Sequence, residues 1–399
     1  MDSIPAASSA EGRSHIRRIG WLHFANDFTL DFLTPLLPAG VGVAWLGVME
    51  GAADAIGQVL KLFTGRASDR SGVRTPFVRW GYLVNAVARP LTAIGLFASL
   101  PWWIIACRLT DRVGKGIRGS ATDALVADWT SGDERDRAYN QMRAMDHLGA
   151  AVGGLAAAGV AWLLAPDQLW MAVAALVVVT AWVAWLTRGL RDRPREVAAP
   201  AAPAAGGGWW PSDPSVQRPL AAIGIAAVAT KLSPLLVLVQ VAGLPAEGSS
   251  ASWPLWQICL GWAALGVVQA VAASAAGAVS SRVGAVWLLR CGWLATTVVF
   301  VGLALTSGPW LIACGLGYGI VAGLLEGSEK VLVANRVERG SRGIAFGALA
   351  LLSAIAGLAG NAVCGALLAH WSALVFLVLA AMPLLGLVIL GRGRSQTSG

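Results

Sequence analysis

Residues 65–74 read GRASDRSGVR, a short segment rich in arginine and glycine that separates two apolar runs at 42–64 and 76–98. Each run has the length of roughly 20 residues that an α-helix needs to cross a bilayer. The segment between them is short and basic. A chain built this way crosses a membrane repeatedly, and its basic loops mark the side on which they are retained.

The same alternation runs through all 399 residues, of which 56% are hydrophobic and only 13% charged. Soluble domains carry roughly a quarter charged residues, and the mean hydropathy here is +0.64. Spans are expected near 16–38, 42–64, 76–98, 101–126, 141–165, 167–188, 218–242, 253–280, 285–306, 308–334, 343–368 and 371–391. The expected fold class is an all-α membrane protein of twelve transmembrane helices. A membrane β-barrel is excluded, because the runs are too long and lack a period of two. The net charge of +8 does not point to nucleic acid, since the arginines lie in short loops rather than on one face. Cys107, Cys259, Cys291, Cys314 and Cys364 all sit in apolar runs without metal-ligand spacing, so neither a disulfide nor a metal site is expected. The polar first dozen residues do not read as a removable signal peptide.

Arginine placement sets the orientation. Arg13, Arg17 and Arg18 stand at the head of the first span, Arg66, Arg70 and Arg74 between the second and third, and Arg135 and Arg137 between the fourth and fifth. Arg188, Arg191, Arg193 and Arg195 follow the sixth, Arg282 the eighth, Arg336, Arg339 and Arg342 the tenth, and Arg392 and Arg394 the twelfth. The intervening loops near 40, 100, 166, 247, 307 and 370 hold no Lys or Arg, so both termini are expected in the cytoplasm. Trp102, Trp103, Trp170, Trp253, Trp310 and Trp371 fall at the outer ends of spans, where an interfacial belt belongs.

Residues 191–217 are rich in Pro, Ala and Gly after a charged start, and read as a flexible cytoplasmic linker. They divide the chain into six-helix bundles at 1–190 and 218–399. An internal repeat agrees: DALVADWTSGDERDRAY at 123–139 aligns with KVLVANRVERGSRGIAF at 330–346 at one constant offset, and GRASDRSG at 65–72 is similar to GAVSSRVG at 277–284. Duplication of this kind is common in transporters.

The chemistry-bearing residues fall inside the spans. In the fourth, Arg108, Arg112, Lys115, Gly119 and Asp123 recur at helical spacing and share a face that must look into the protein, with Arg118 nearby. Asp27 and Asp31 lie one turn apart in the first span, with His23 one turn earlier; Lys231 lies in the seventh; Glu326, Glu329 and Lys330 lie in the tenth. All four lysines of the chain, Lys61, Lys115, Lys231 and Lys330, are within spans, while the loops use Arg. In the 65–74 loop, Gly65 and Gly72 allow a tight turn and close helix approach. Asp69 can cap a helix N-terminus, and Arg70 or Arg74 can pair with an acid such as Asp128. Gly149, Gly153 and Gly154 in the fifth span suit close helix packing.

Several of these segments resemble the major facilitator superfamily. The 65–74 loop is similar to its G-x-x-x-D-R-x-G-x-[RK] loop. The fourth span keeps Arg112 and Gly116 of an R-x-x-Q-G-x-G motif, with Lys115 and Arg118 at departing positions. Its string D-R-x-G-K-G-x-R…D-A-L resembles a bacterial permease branch, with Thr122 where that branch has an arginine. Residues 149–154 resemble the G-P-x-x-G-G antiporter motif, with Ala150 in place of proline. The resemblance implies two pseudo-symmetric bundles and a central cavity lined by the first, fourth, seventh and tenth helices. It also implies transport of a small solute by alternating access in the plasma membrane, a bacterial inner membrane. Proton-coupled export (antiport) is the first expectation and proton-coupled uptake (symport) the second. Asp27, Asp31, Arg112, Lys115, Arg118, Asp123, Lys231, Glu326, Glu329 and Lys330 are the candidates for substrate binding and coupling. No G-x-x-x-x-G-K-[ST] occurs, so the proton gradient is the expected energy source and no cofactor is expected. A monomer in lipid is expected, with protons and a small molecule as partners. A membrane-embedded enzyme or a non-transporting sensor is the rival class. The scattered His15, His23, His147 and His370 fit no catalytic group, and no large soluble domain is present, so no catalytic residue is expected.

This orientation is testable by labelling. Tags on both ends and within 191–217 will be inaccessible from outside intact cells, while a tag within 243–252 will be accessible; an accessible linker would reverse the topology.

Overall fold

The computed structural model describes residues 9–130, 132–193, 210–211, 213–243, 253–325, 328–334 and 342–391. No β-strand occurs among them. The helices in chain order are α1 (Ser9–Leu33), α2 (Val43–Ser71), α3 (Thr75–Phe97), α4 (Pro101–Trp129), α5 (Gly132–Leu163), α6 (Leu169–Ala175) and α7 (Val177–Arg188), then α8 (Pro214–Thr230), α9 (Pro234–Ala242), α10 (Leu255–Val283), α11 (Ala285–Leu305), α12 (Pro309–Leu325), α13 (Ser328–Ala334) and α14 (Arg342–Gly391). α6 with α7, α8 with α9 and α12 with α13 each make one expected span. α14 holds the last two spans, joined at Trp371, where φ is −135° and ψ 36°.

Among the described residues, six helical segments are both long and apolar enough to cross a membrane on composition: Arg137–Leu163, Pro166–Arg188, Pro214–Ala242, Leu255–Ala276, Val286–Leu305 and Ile344–Gly391. α1 to α4 have the length but are less apolar, and α1 and α4 carry many charges, among them Arg108, Asp111, Arg112, Lys115 and Arg118 in α4. Those charges need partners inside the protein. Residues such as Trp80, Trp162, Val298 and Trp310, all exposed, give the helices an apolar outer surface suited to lipid.

The chain divides into two compact units, Met1–Gly40 with Val59–Pro200, and Val41–Gln58 with Ala201–Gly399. The unit boundary therefore passes through α2, whose first half belongs to the second unit rather than to a bundle at 1–190. Glycine explains the assignment: a Cβ on Gly51 would lie 2.9 Å from Leu358 Cα, and one on Gly47 2.7 Å from Gly365 Cα, so this part of α2 lies backbone to backbone with α14. Most of the expected linker, residues 194–209 and Ser212, is outside the described residues.

In the first unit α1 packs along α5, and α3 along α4, α6 and α7, around a core that includes Ile19, Leu22, Val78, Leu125 and Leu186. Gly149 and Gly153 of α5 face the Phe24 and Phe28 carbonyls of α1 so closely that neither position has room for a Cβ. Gly154 beside them is buried. In the second unit α8 packs along α14, α10 along α12, and α11 along both α12 and α14, around Leu220, Ile223, Leu289, Trp293 and Leu349. Gly360 of α14 meets the Val228 carbonyl in the same manner as Gly153 meets Phe28.

Proline breaks are repaired from neighbouring helices. Pro90 in α3 has no N–H, which leaves the Ala86 carbonyl without its helical donor. The Thr180 hydroxyl of α7 donates to that carbonyl. In the second unit the Thr297 hydroxyl of α11 donates to Ala380 O at 3.0 Å, the carbonyl next to that of Leu379, which Pro383 leaves without its helical donor.

Replacing Gly153 with Leu will force α1 and α5 apart and destabilise the protein by about 1–3 kcal/mol. Gly159→Leu, on the same helix with nothing within 4 Å, is the matched control and will leave thermal unfolding in detergent nearly unchanged.

Candidate functional site

The first unit contains a buried polar circuit across α1, α3 and α4. Its precondition is a close approach of α3 and α4 at Gly81 and Gly114, where a Cβ on either would lie 2.7 Å from the other's carbonyl oxygen. That approach brings Asn85 within reach of Asp111, and Asn85 Nδ2 donates to Asp111 Oδ1 at 2.7 Å. Arg89, one turn further along α3, donates from Nε to the same Oδ1 at 2.8 Å. Its two other nitrogens reach α1: Nη2 donates to Asn26 Oδ1 at 3.1 Å, and Nη1 to the Asn26 carbonyl and the Thr29 hydroxyl. Arg108 Nη1 stands 3.9 Å from Asp111 Oδ2. Both Arg89 and Asp111 are almost fully buried, at 3% and 2% exposure.

The circuit continues outward in two directions. Asn26 Nδ2 donates to Asp27 Oδ1 at 2.6 Å. Arg118 donates from Nε to Asn85 Oδ1 at 3.2 Å and stacks its guanidinium 4.4 Å over the Tyr82 ring, a cation–π contact. Asp27 has Asp146, Asp31, Arg118 and Lys115 as its strongest electrostatic neighbours. Arg112 is buried and acts on Asp111. One turn before Asp27, His23 Nδ1 meets Asp146 Oδ1 of α5 at 2.7 Å. Asp31 is half-buried, and Asp123 is exposed near the end of α4, where its carbonyl accepts from the Tyr139 hydroxyl at 2.8 Å.

In the second unit the polar focus is a helix break. α8 ends at Thr230 and α9 begins at Pro234, whose missing N–H prevents a continuous helix. Asn361 of α14 bridges the gap, accepting from Ser233 N at 2.7 Å and donating to Lys231 O at 3.0 Å, and the Tyr318 hydroxyl donates to Leu232 O. Lys231 stands at the break and pairs with Glu329 of α13, Nζ to Oε2 at 2.7 Å. Glu326 is outside the described residues, and only the backbone of Lys330, in α13, is described.

The 65–74 segment, expected as a loop, is helical to Ser71 as the end of α2 and turns only at 72–74; it forms a separate polar cluster at the end of the first unit. Gly72 takes φ +70°, which glycine adopts readily and which turns the chain into α3. Gly65 packs on Ser120, where a Cβ would lie 3.2 Å from the serine Cβ. Arg74 points inward, with Nη1 2.6 Å from Asp69 Oδ1 and 2.8 Å from Ser68 Oγ, and Nε 3.6 Å from Asp128 Oδ2. Arg70 is exposed. The cap on α3 comes from Asp192 rather than Asp69: its Oδ1 accepts from Arg74 N at 2.7 Å and Thr75 N at 2.9 Å. Arg79 ties this region to the end of α7 through the carbonyls of Thr187, Arg188 and Leu190.

Sequence reasoning did not assign Asn26, Asn85, Asn361 or the His23–Asp146 pair, and gave Arg89 no place. The signal for two of them was present: Asn85 and Arg89 are four residues apart in an apolar span and so share a face.

The family model described as the Major Facilitator Superfamily matches residues 19–263. The chain is 35% identical over 127 residues to an uncharacterized protein of Mycobacterium tuberculosis, covering 31% of this chain and 30% of that one. It is 32% identical over 149 residues to multidrug resistance protein MdtH of Edwardsiella ictaluri, covering 37% and 35%. The matched stretch thus spans about a third of the length of these curated relatives. Among solved structures, a mutant of the nucleoside transporter NupG superposes with a TM-score of 0.73 over 95% of this chain and 99% of that one, at 13% identity.

Arg89→Met will leave Asp111 buried without its main cation, and will cost about 3–5 kcal/mol in unfolding measured in detergent. The double variant Arg89→Met/Asp111→Leu will cost less than the sum of the two single changes.

Proposed function

The chain belongs to the Major Facilitator Superfamily, and on that premise we propose that it is a secondary active transporter that moves a small solute across the plasma membrane by alternating access. The observation that carries this reading is the grouping of Asp27, Asp31, Lys115 and Arg118 with the His23–Asp146 pair inside the first unit. Charges held within membrane spans are costly, and they mark ion and substrate pathways.

Protons are the coupling ion, and Asp27 carries them. Its carboxyl is hydrogen-bonded to Asn26 at the rim of the Arg89–Asp111 circuit, with cations and carboxylates both in electrostatic reach. A change in the distance to Arg118 and Lys115 during the transport cycle alters its hold on the proton, so it loads on one side and releases on the other. Arg112 serves the Asp111 side of the network in this reading. The Lys231–Glu329 pair supplies opposite charges for a polar or zwitterionic solute, which displaces one partner for the other.

Export by proton antiport is the favoured direction. It is supported by the multidrug resistance name of a relative matched over about a third of its length, and by the glycines of α5. The Asp69–Arg74–Asp128 cluster forms the cytoplasmic gate. The protein acts as a monomer, with both termini in the cytoplasm.

A growth screen of a deletion strain against a panel of solutes and drugs will supply a substrate. With it, transport in proteoliposomes will respond to an imposed pH gradient, and Asp27→Asn will abolish that response while solute exchange continues. A full response in Asp27→Asn, lost instead in Asp31→Asn, assigns the carrier to Asp31. Wild-type transport indifferent to the gradient would remove proton coupling altogether.

A further inference from the structure

A cavity of about 590 Å³ opens between the starts of α1 and α5. That volume lies within the range of roughly 300–1,000 Å³ typical of ligand sites. Arg13, Arg17 and Arg137 line it and are exposed, with Glu134 beside them. Ile16 and Ala138, at 6% and 4% exposure, line its inner part. Three guanidiniums against one carboxylate leave an excess of two positive charges.

The arrangement asks for more than a topology signal. Retention of a loop on the cytoplasmic side depends on how many basic residues it holds, not on where their side chains point. Here Arg13 and Arg17 are one turn apart on α1, and Glu134, Arg137 and Ala138 share one face of α5, so two helices direct their charges into a single concavity. Guanidinium forks match the paired oxygens of a phosphate. The charged rim stands at the head of the first expected span, where a bilayer headgroup region would meet it, and Ile16 and Ala138 form an apolar floor beneath it. A soluble anion has no use for that floor, whereas a lipid has a glycerol backbone and acyl chains to place on it.

We propose that this cavity binds the headgroup of an anionic phospholipid of the cytoplasmic leaflet, with its phosphate on Arg13, Arg17 and Arg137 and its glycerol backbone over Ile16 and Ala138. Basic pockets between helices on this side of a membrane suit such headgroups. The lipid bridges the ends of α1 and α5, the two helices that also hold His23 and Asp146. This inference does not depend on which solute is carried or on proton coupling.

The test uses the full-length protein in detergent, with bound lipid counted by native mass spectrometry. Phosphatidylglycerol will be retained where phosphatidylcholine is not. R13Q/R17Q/R137Q will lower that retention by at least about tenfold. The triple variant R188Q/R218Q/R282Q removes the same charge from other helix ends, and will retain the lipid as wild type does. Equal loss in both triple variants would reduce the effect to surface charge and overturn the site. Unchanged retention in R13Q/R17Q/R137Q would do the same. Displacement of the lipid by millimolar inorganic phosphate would reassign the cavity to a soluble anion. Should the first triple variant not fold, the three single variants decide: each will weaken retention several-fold, and the site falls if none does.

Discussion

A hydrocarbon interior offers no water to a backbone amide or carbonyl, so each such group has to find its partner within the chain. An unbroken helix meets this demand by itself, which is why the described residues are helical and free of strands. The informative places are those where the helix fails. Pro90 frees the Ala86 carbonyl, and Thr180 answers it from α7. The break at 231–233 frees several groups at once, and Asn361 and Tyr318 answer them from α14 and α12. Each repair fixes one helix against another, so the irregular points also set the helix packing.

The same demand governs side-chain charge, at a higher cost per group. Asp111 is met by Arg89, Asn85 and Arg108, and Arg89 is met in turn by Asn26 and Thr29. These bonds tie α1, α3 and α4 to one another through Arg89 and Asp111. Asp27 and Lys115 are half-buried and lie at the margin of the circuit. Fully buried and half-buried charges thus occupy neighbouring turns of the same helices.

At the end of the first unit, the start of the linker belongs to the helical structure. Asp192 caps α3, the Arg191 carbonyl accepts from Trp129 Nε1 at 3.1 Å, and Arg193 donates to the Asp128 carbonyl at 3.2 Å. The residues that leave α7 therefore hold the same loop that contains Asp69 and Arg74. Arg74 takes part in both sets of bonds, through its backbone N–H to Asp192 and its guanidinium to Asp69.

Much of the architecture was legible in the sequence because it depends on composition at a fixed length scale. Apolar runs near 20 residues report helices without any knowledge of packing. The charged faces of α1 and α4 were legible for the same reason, since helical spacing alone places Asp27, Asp31, Arg112 and Lys115. Partner choice was not. Whether Arg89 met Asp111 and whether Asp69 or Asp192 capped α3 both depend on which helices approach closely, and at what rotation. Those are set by glycines such as Gly81, Gly114 and Gly153, whose effect is felt only across a gap between two helices. Sequence determined what each helix must hide, and the tertiary structure alone decided from whom, because a buried charge is satisfied by distance in space and not by separation along the chain.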